Sequence, residues 1–128
     1  MSDTDPYIAV VDDEPPVRTM LGRLLRLAHY EVGAFASGEE FLASIVARRP
    51  ACAILDVHMP GLSGFDVQER LRAGSPGIPV VFITASDEVG LARTALESGA
   101  IGLLRKPFSN LDLLEAVGRA LASPAAGT

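Results

Sequence analysis

Ala51-Cys52-Ala53-Ile54-Leu55-Asp56 is a short apolar run that ends on a carboxylate, and the chain breaks soon after it at Met59-Pro60-Gly61. Bounded by Pro50 and by turn residues, a run this short reads as a strand buried on both faces. Asp56 is then the first polar residue beyond the sheet. Open α/β sheets place their ligands there, because the loops at the carboxyl ends of the strands leave a crevice. Working outward, the same arrangement recurs three times: Ile8-Ala9-Val10-Val11 runs into Asp12-Asp13, Val80-Val81-Phe82-Ile83 into Thr84, and Ile101-Gly102-Leu103-Leu104-Arg105 into Lys106. Four strand ends bring three carboxylates, a hydroxyl and an ammonium to one rim.

The segments between these strands carry helical spacing. Pro15 and Pro16 suit a first helical turn, where a missing N–H costs nothing. Val17, Met20, Leu21, Leu24, Leu25 and Ala28 then form a core-facing stripe, with Arg18, Arg23 and Arg26 off it as a solvated face. Glu31 to Ala36 reads as a further strand, diluted by Gly33. Ser37 with Glu40 forms a capping box for a second helix, whose buried face is Phe41, Leu42, Ile45 and Val46. Ser63 with Asp66 opens a third that ends near Ala73-Gly74. Ser86 caps a fourth, with Ala92, Ala95, Leu96 and Gly99 facing inward and Leu91 left outside as contact surface. Ser109 with Asp112 caps a fifth, bearing Leu111, Leu114, Val117 and Leu121.

Five strands alternating with five helices predict an α/β fold: a doubly wound, five-stranded parallel sheet with helices on both faces. In the order 2-1-3-4-5, strands one and three adjoin at the switch point, where Asp12 and Asp13 meet Asp56.

A chain of 128 residues is expected to form one domain, with a core over about 7–121 and residues 122–128 as a flexible tail or the start of a linker. With 48% hydrophobic and 21% charged residues it reads as a packed globule. No apolar run is long enough for a membrane span, and Met1 to Pro6 carries acid where a signal peptide is basic and then apolar. A cytoplasmic location without membrane association is therefore expected. The lone Cys52 reads as an inert core thiol. A net charge of -5 argues against direct nucleic-acid binding by this domain.

Three close carboxylates repel one another, and a hard divalent cation resolves the conflict. Mg²⁺ takes oxygen ligands and keeps several waters, so the expected site has Asp13 and Asp56 as direct ligands, Asp12 acting through water, and the backbone carbonyl of His58. An Asp beside such a cation can act as a nucleophile toward phosphorus. A cation and a hydroxyl near it, Lys106 and Thr84, complete a phosphoryl-transfer site, and Ala85 is small enough to leave access. Singly, these residues have plainer readings: Asp12 and Asp13 as helix caps, Lys106 as a surface charge, Thr84 as a turn residue. Their joint placement at successive strand ends favours the site. His29 reads as an ordinary loop residue.

These motifs together resemble the receiver domains of two-component response regulators. The resemblance spans Tyr7 to about Leu121 and rests on Val11-Asp12-Asp13-Glu14, Asp56-Val57-His58-Met59-Pro60-Gly61 with Gly64, Thr84-Ala85, and Lys106-Pro107-Phe108. It implies that Asp56 is the phosphoacceptor, that Asp12 and Asp13 bind Mg²⁺, that Thr84 and Lys106 sense the phosphoryl group, and that Lys106-Pro107 is a cis peptide. The implied partners are a sensor histidine kinase, an output domain or effector, and a second copy joined through the fourth helix, fifth strand and fifth helix upon phosphorylation. His58 and Ser86 match positions that tune the lifetime of the acyl phosphate. One departure stands out: Leu103 takes the place of the family's usual aromatic, on the strand face opposite Lys106 and toward the fourth helix. Two other classes compete. A Mg²⁺-dependent phosphohydrolase lacks here an acid two residues past Asp56, where His58 stands, and a degenerate receiver would serve only as an interaction module.

Overall fold

The computed structural model describes residues 5–123; the first four residues and residues 124–128, and with them most of the expected tail, lie outside the described residues. The elements alternate strictly: β1 (Tyr7–Val11), α1 (Pro15–Leu27), β2 (Glu31–Phe35), α2 (Gly38–Ser44), β3 (Cys52–Asp56), α3 (Gly64–Gly74), β4 (Val80–Thr84), α4 (Leu91–Glu97), β5 (Gly102–Arg105) and α5 (Asn110–Leu121). All strand pairs are parallel, in the order β2-β1-β3-β4-β5. The expected fold is the observed one.

The central strands β1, β3 and β4 read as unbroken apolar runs because both of their faces are covered. Alternate residues serve opposite sides. Ile8, Val10, Cys52, Ile54, Val81 and Ile83 pack with Leu21 and Leu25 of α1 and with Leu113 and Val117 of α5. Ala9, Val11, Ala53, Leu55, Val80 and Phe82 pack with Phe41 of α2, Val67 and Leu71 of α3, and Ala95 of α4. Cys52 is wholly buried, and burial pushes its thiol up to about 12, so it stays a protonated core residue.

Helix starts follow the expected serine caps at three positions, but of the expected reciprocal boxes the one at Ser63 is closed while Ser37 makes only its own half with Glu40. Ser37, Ser63 and Ser109 each accept the N–H three residues on, and Asp66 returns the bond to the Ser63 N–H. That bond, with the Ser63 N–H as largest cause, holds the Asp66 carboxyl below its ordinary range. Ser63→Ala is expected to cost about 1 kcal/mol in urea unfolding; an unchanged midpoint would show that α3 is set by packing alone.

The structure corrects several details. Ser86 does not cap α4; its hydroxyl takes the Glu88 N–H instead, and α4 begins behind Gly90, which adopts a φ of 95°. With the start moved, Ala95 stays on the inner face as expected, but Leu91 joins it there while Leu96 is 63% exposed, the reverse of the expected placement of these two leucines, and Ala92 and Gly99 are exposed as well. In α5 the inner face is Leu113, Ala116, Val117 and Ala120, and Leu111 points outward from the first turn. Small Ala116 and Ala120 let that helix lie close to the sheet. Met20 is half exposed on the rim of the α1 stripe, and Val46 lies in the turn beyond α2, exposed. Among the described residues, no helix is long and apolar enough to cross a membrane.

Candidate functional site

Because β1 and β3 are neighbours with Val11 opposite Leu55, Asp12 and Asp56 leave the sheet side by side. Carboxylate oxygens of Asp12, Asp13 and Asp56 lie within 4.8 Å of one another, and no other described residue joins that cluster. Asp12 is fully buried and Asp56 is 4% exposed. Local hydrogen bonds fix both. The Asp12 N–H donates to the Phe35 carbonyl at 3.1 Å, its Oδ1 accepts the Glu14 N–H at 2.9 Å, and its carbonyl accepts Arg18 Nη1 at 2.7 Å. Asp56 Oδ1 accepts the His58 N–H at 3.3 Å, which brings the His58 main chain onto the carboxylate. The start of α3 is equally close: the Gly64 N–H donates to the Val57 carbonyl at 2.9 Å, and a Cβ at Gly64 would run into the carbonyl oxygen of Asp56.

Lys106, past the end of β5 and joined to Pro107 by a cis peptide, reaches across the rim. Its Nζ donates to Asp12 Oδ2 at 2.9 Å, to Glu14 Oε1 at 3.1 Å and to Asp56 Oδ2 at 3.4 Å. Three donors meet three carboxylates. Burial works against the ammonium, but hydrogen bonds to Asp12 and Glu14 and the charges of Asp56 and Asp12 outweigh it and raise its pKa. Asp56 moves the other way from an ordinary acid: burial first, then the charge of Asp12, push it up to about 6 against the pull of Lys106 and the His58 N–H. The sequence reading gave Glu14 no role of its own. Its adjacency to Asp12-Asp13 was the available signal, and the turn that directs it toward Lys106 is a tertiary feature.

Thr84, at the end of β4, is buried; its Oγ1 accepts the Ser86 N–H at 3.0 Å, facing its own turn, and its carbonyl accepts the Lys106 N–H at 2.7 Å. It borders the acidic cluster without bonding to Asp56. The His58 imidazole turns away from the carboxylates: Nε2 lies 3.2 Å from Glu88 Oε1, which also accepts the Ser86 hydroxyl at 3.1 Å. This contact ties the loop after β3 to the loop after β4 at the mouth of the site. Leu103 packs with the Phe82 and Ala95 cluster on the α4 side, while its neighbour Leu104 packs on the other.

The donor set suits a hard divalent cation. Three closely spaced carboxylates offer only oxygen, with no thiolate or imidazole among them, which favours Mg²⁺ over softer metals.

A family model described as the response regulator receiver domain matches residues 8–118. Nodulation protein W of Bradyrhizobium diazoefficiens is 39% identical over 114 residues, covering 89% of this chain and 50% of that protein. The transcriptional regulatory protein TdiR of Thauera aromatica is 36% identical, with 90% of this chain and 51% of that protein covered. The chain thus spans about half the length of these curated relatives. Among solved structures, the chemotaxis protein CheY4 of Vibrio cholerae superposes with a TM-score of 0.84 at 31% identity, covering 92% of this chain and all of that one. A response regulator receiver protein from Burkholderia phymatum gives 0.82 at 43% identity, covering 92% and 96%. Sheet order, the acidic rim beside Lys106, and a family match over nearly the whole length lead to one assignment: the chain belongs to the response regulator receiver domains of two-component signal transduction.

Proposed function

We propose that this receiver accepts a phosphoryl group on Asp56 from the phosphohistidine of a sensor histidine kinase and acts as a phosphorylation-controlled switch. The observation that carries this is the convergence of Asp56 with Asp12, Asp13 and Lys106 at one end of the sheet. An Asp56 carboxylate oxygen forms the bond to phosphorus as the P–N bond to the donor imidazole breaks. The imidazole leaves with that electron pair and takes a proton from solvent. Asp12, Asp13, Asp56 and the His58 backbone carbonyl would hold Mg²⁺, which offsets negative charge on the carboxylates and on the incoming phosphoryl oxygens. Lys106, already bonded to Asp12 and Asp56, supplies a second positive charge at the same rim. Thr84, at the end of the neighbouring strand β4, would turn its hydroxyl from Ser86 toward a phosphoryl oxygen as the start of the switch. The domain catalyses its own phosphorylation and hydrolysis and turns over no separate substrate.

The kinase is proposed to dock against α1 and the loop after β5, where Val17, Met20, Pro107 and Phe108 form an apolar groove beside Lys106. Downstream, the transcriptional regulatory protein TdiR among the relatives supports an output domain or an effector protein as the partner. Exposed Val89 and Leu96 support a phosphorylation-dependent pairing of copies through α4, β5 and α5. A cytoplasmic location belongs to the same proposal.

Intact mass after incubation with Mg²⁺ and acetyl phosphate tests the reading. One added phosphoryl group is expected on the chain and none on Asp56→Asn or when Mg²⁺ is chelated. No gain from acetyl phosphate or from a phosphorylated kinase would leave only an interaction module.

A further inference from the structure

We infer that Arg18 is a positioning residue for the cation site: its guanidinium fixes the peptide between Asp12 and Asp13, and so sets where the Asp13 carboxylate stands. This rests on the metal reading proposed above. The starting observation is that Arg18, a residue of α1, aims its charge at a backbone carbonyl although carboxylates are near. Arg18 Nη1 lies 2.7 Å from the Asp12 carbonyl oxygen.

The sequence explains why that carbonyl needs a side chain. A carbonyl at the start of a turn is normally closed by the backbone N–H three or four residues on. For Asp12 those residues are Pro15 and Pro16, which have no N–H. Glu14, the residue before α1, makes no side-chain cap bond either. The prolines therefore start the helix and at the same time leave the carbonyl beneath the acidic cluster without a local donor. Arg18 supplies one from the next turn, and its donation is charge-assisted.

Every other polar group of Asp12 is already committed. Its N–H goes to Phe35, Oδ1 to the Glu14 N–H, and Oδ2 to Lys106. The Oδ1 bond closes a turn around the Asp12–Asp13 peptide, but none of these bonds meets the carbonyl of that peptide, which among the described residues Arg18 alone holds, from the helix side. The plane of the peptide sets the direction in which the chain leaves toward Asp13, whose oxygen lies within 4.8 Å of those of Asp12 and Asp56. With the guanidinium removed, only the Oδ1 turn restrains the peptide, its carbonyl can tilt, and the Asp13 carboxylate is held less firmly beside the other two. Partners one bond removed from a metal ligand commonly govern affinity in this way.

The test is Mg²⁺ binding by isothermal titration calorimetry on the native chain, Arg18→Ala, Arg18→Lys and Arg23→Ala, with circular dichroism to verify folding. Arg18→Ala is expected to bind Mg²⁺ roughly tenfold more weakly. Arg18→Lys, with a shorter reach and a single donor point, falls between it and the native chain. Arg23→Ala removes the same charge from the exposed side of α1 and leaves affinity unchanged. Equal affinity in folded Arg18→Ala and native chain overturns the inference while the metal reading stands. A flat titration of the native chain overturns the metal reading, and the inference with it. Should Arg18→Ala fail to fold, native-like affinity in folded Arg18→Lys overturns the positioning role, since a bulk loss of positive charge, as in Arg23→Ala, does not weaken the binding of a cation.

Discussion

Asp56→Asn is expected to raise the stability of the cation-free protein at pH 7 by up to about 3 kcal/mol, making the proposed phosphoacceptor one of the costliest residues in the fold. The carboxyl titrates near 3.8 in the unfolded chain and is pushed up to about 6 in the folded one, chiefly by burial and by Asp12. A gap of that size corresponds to about 3 kcal/mol, and relaxation around a rim residue lowers it somewhat. The sign follows from proton uptake. Between the two values the folded state binds the proton more readily, so its stability falls as pH rises through that window and is flat above it. The amide of Asn carries no such cost. Thermal melts in EDTA should therefore show the variant ahead of the native chain at pH 7, with the difference closing as pH is lowered toward 4. A constant difference across that range would mean that Asn gains its stability from packing or hydrogen bonding and that the Asp56 charge is not strained. Saturating Mg²⁺ should also narrow the difference, since a ligand bound only by the folded native chain stabilises it by mass action.

The second large effect falls on Gly64. An added methyl at this position meets the carbonyl oxygen of Asp56 and comes within 3.0 Å of the Val57 Cα, so both obstacles are backbone at the end of a buried strand. Neither can rotate aside. Gly64→Ala must push the first turn of α3 off β3 and strain the Gly64 N–H bond to Val57, at an expected cost of about 2–3 kcal/mol. Gly74→Ala, at the other end of the same helix, meets nothing within 4 Å and is expected to be neutral or to stabilise by about 0.5 kcal/mol. Urea unfolding of the pair separates close approach from helix propensity, because propensity alone favours alanine at both positions. Similar midpoints for the two variants would contradict the contact at Asp56.

The fold was legible because four of the five strands announce themselves twice, by an apolar run and by the polar residue that ends it, while β2, diluted by Gly33, is carried by the alternation of the rest. Ser37, Ser63 and Ser109 were equally readable, since a cap is a local device whose partner lies three residues away. Helix faces were harder. Leu111 and Leu113 are equally apolar, and spacing alone favoured the stripe through Leu111, Leu114, Val117 and Leu121. The sheet selected the stripe with Ala116 and Ala120, because the side that approaches closest needs small residues, and small residues carry a weak hydrophobic signal. The α4 error has a different origin. Ser86 offered a cap in the right region, yet its hydroxyl was captured by Glu88 two residues on, and the signal that did count was Gly90, able to take a positive φ.

Within the site, the residues that leave strand ends could be named from order along the chain. Glu14 and Arg18 could not, because what matters about them is a partner: Lys106 lies 92 residues beyond Glu14, and the carbonyl held by Arg18 is invisible in a pattern of side chains. Thr84 illustrates a third limit. Its position at the rim was readable, but the direction of its hydroxyl toward Ser86 depends on a turn whose geometry no periodicity records.

The sheet that separates the two sets of helices also separates two packing environments. Because β1, β3 and β4 are covered on both sides, a side chain that changes on the α2, α3 and α4 face touches none of the residues packed on the α1 and α5 face. Leu103 belongs to the first of these compartments, packed with the cluster of Phe82, Leu91 and Ala95, so an exchange at this position would be confined to it. Such an exchange can be accommodated by repacking a few local residues while Val17, Leu21 and Leu25 keep their places. The two surfaces of this receiver can therefore be repacked independently, with the strand-end rim as the strip that neither surface can alter alone.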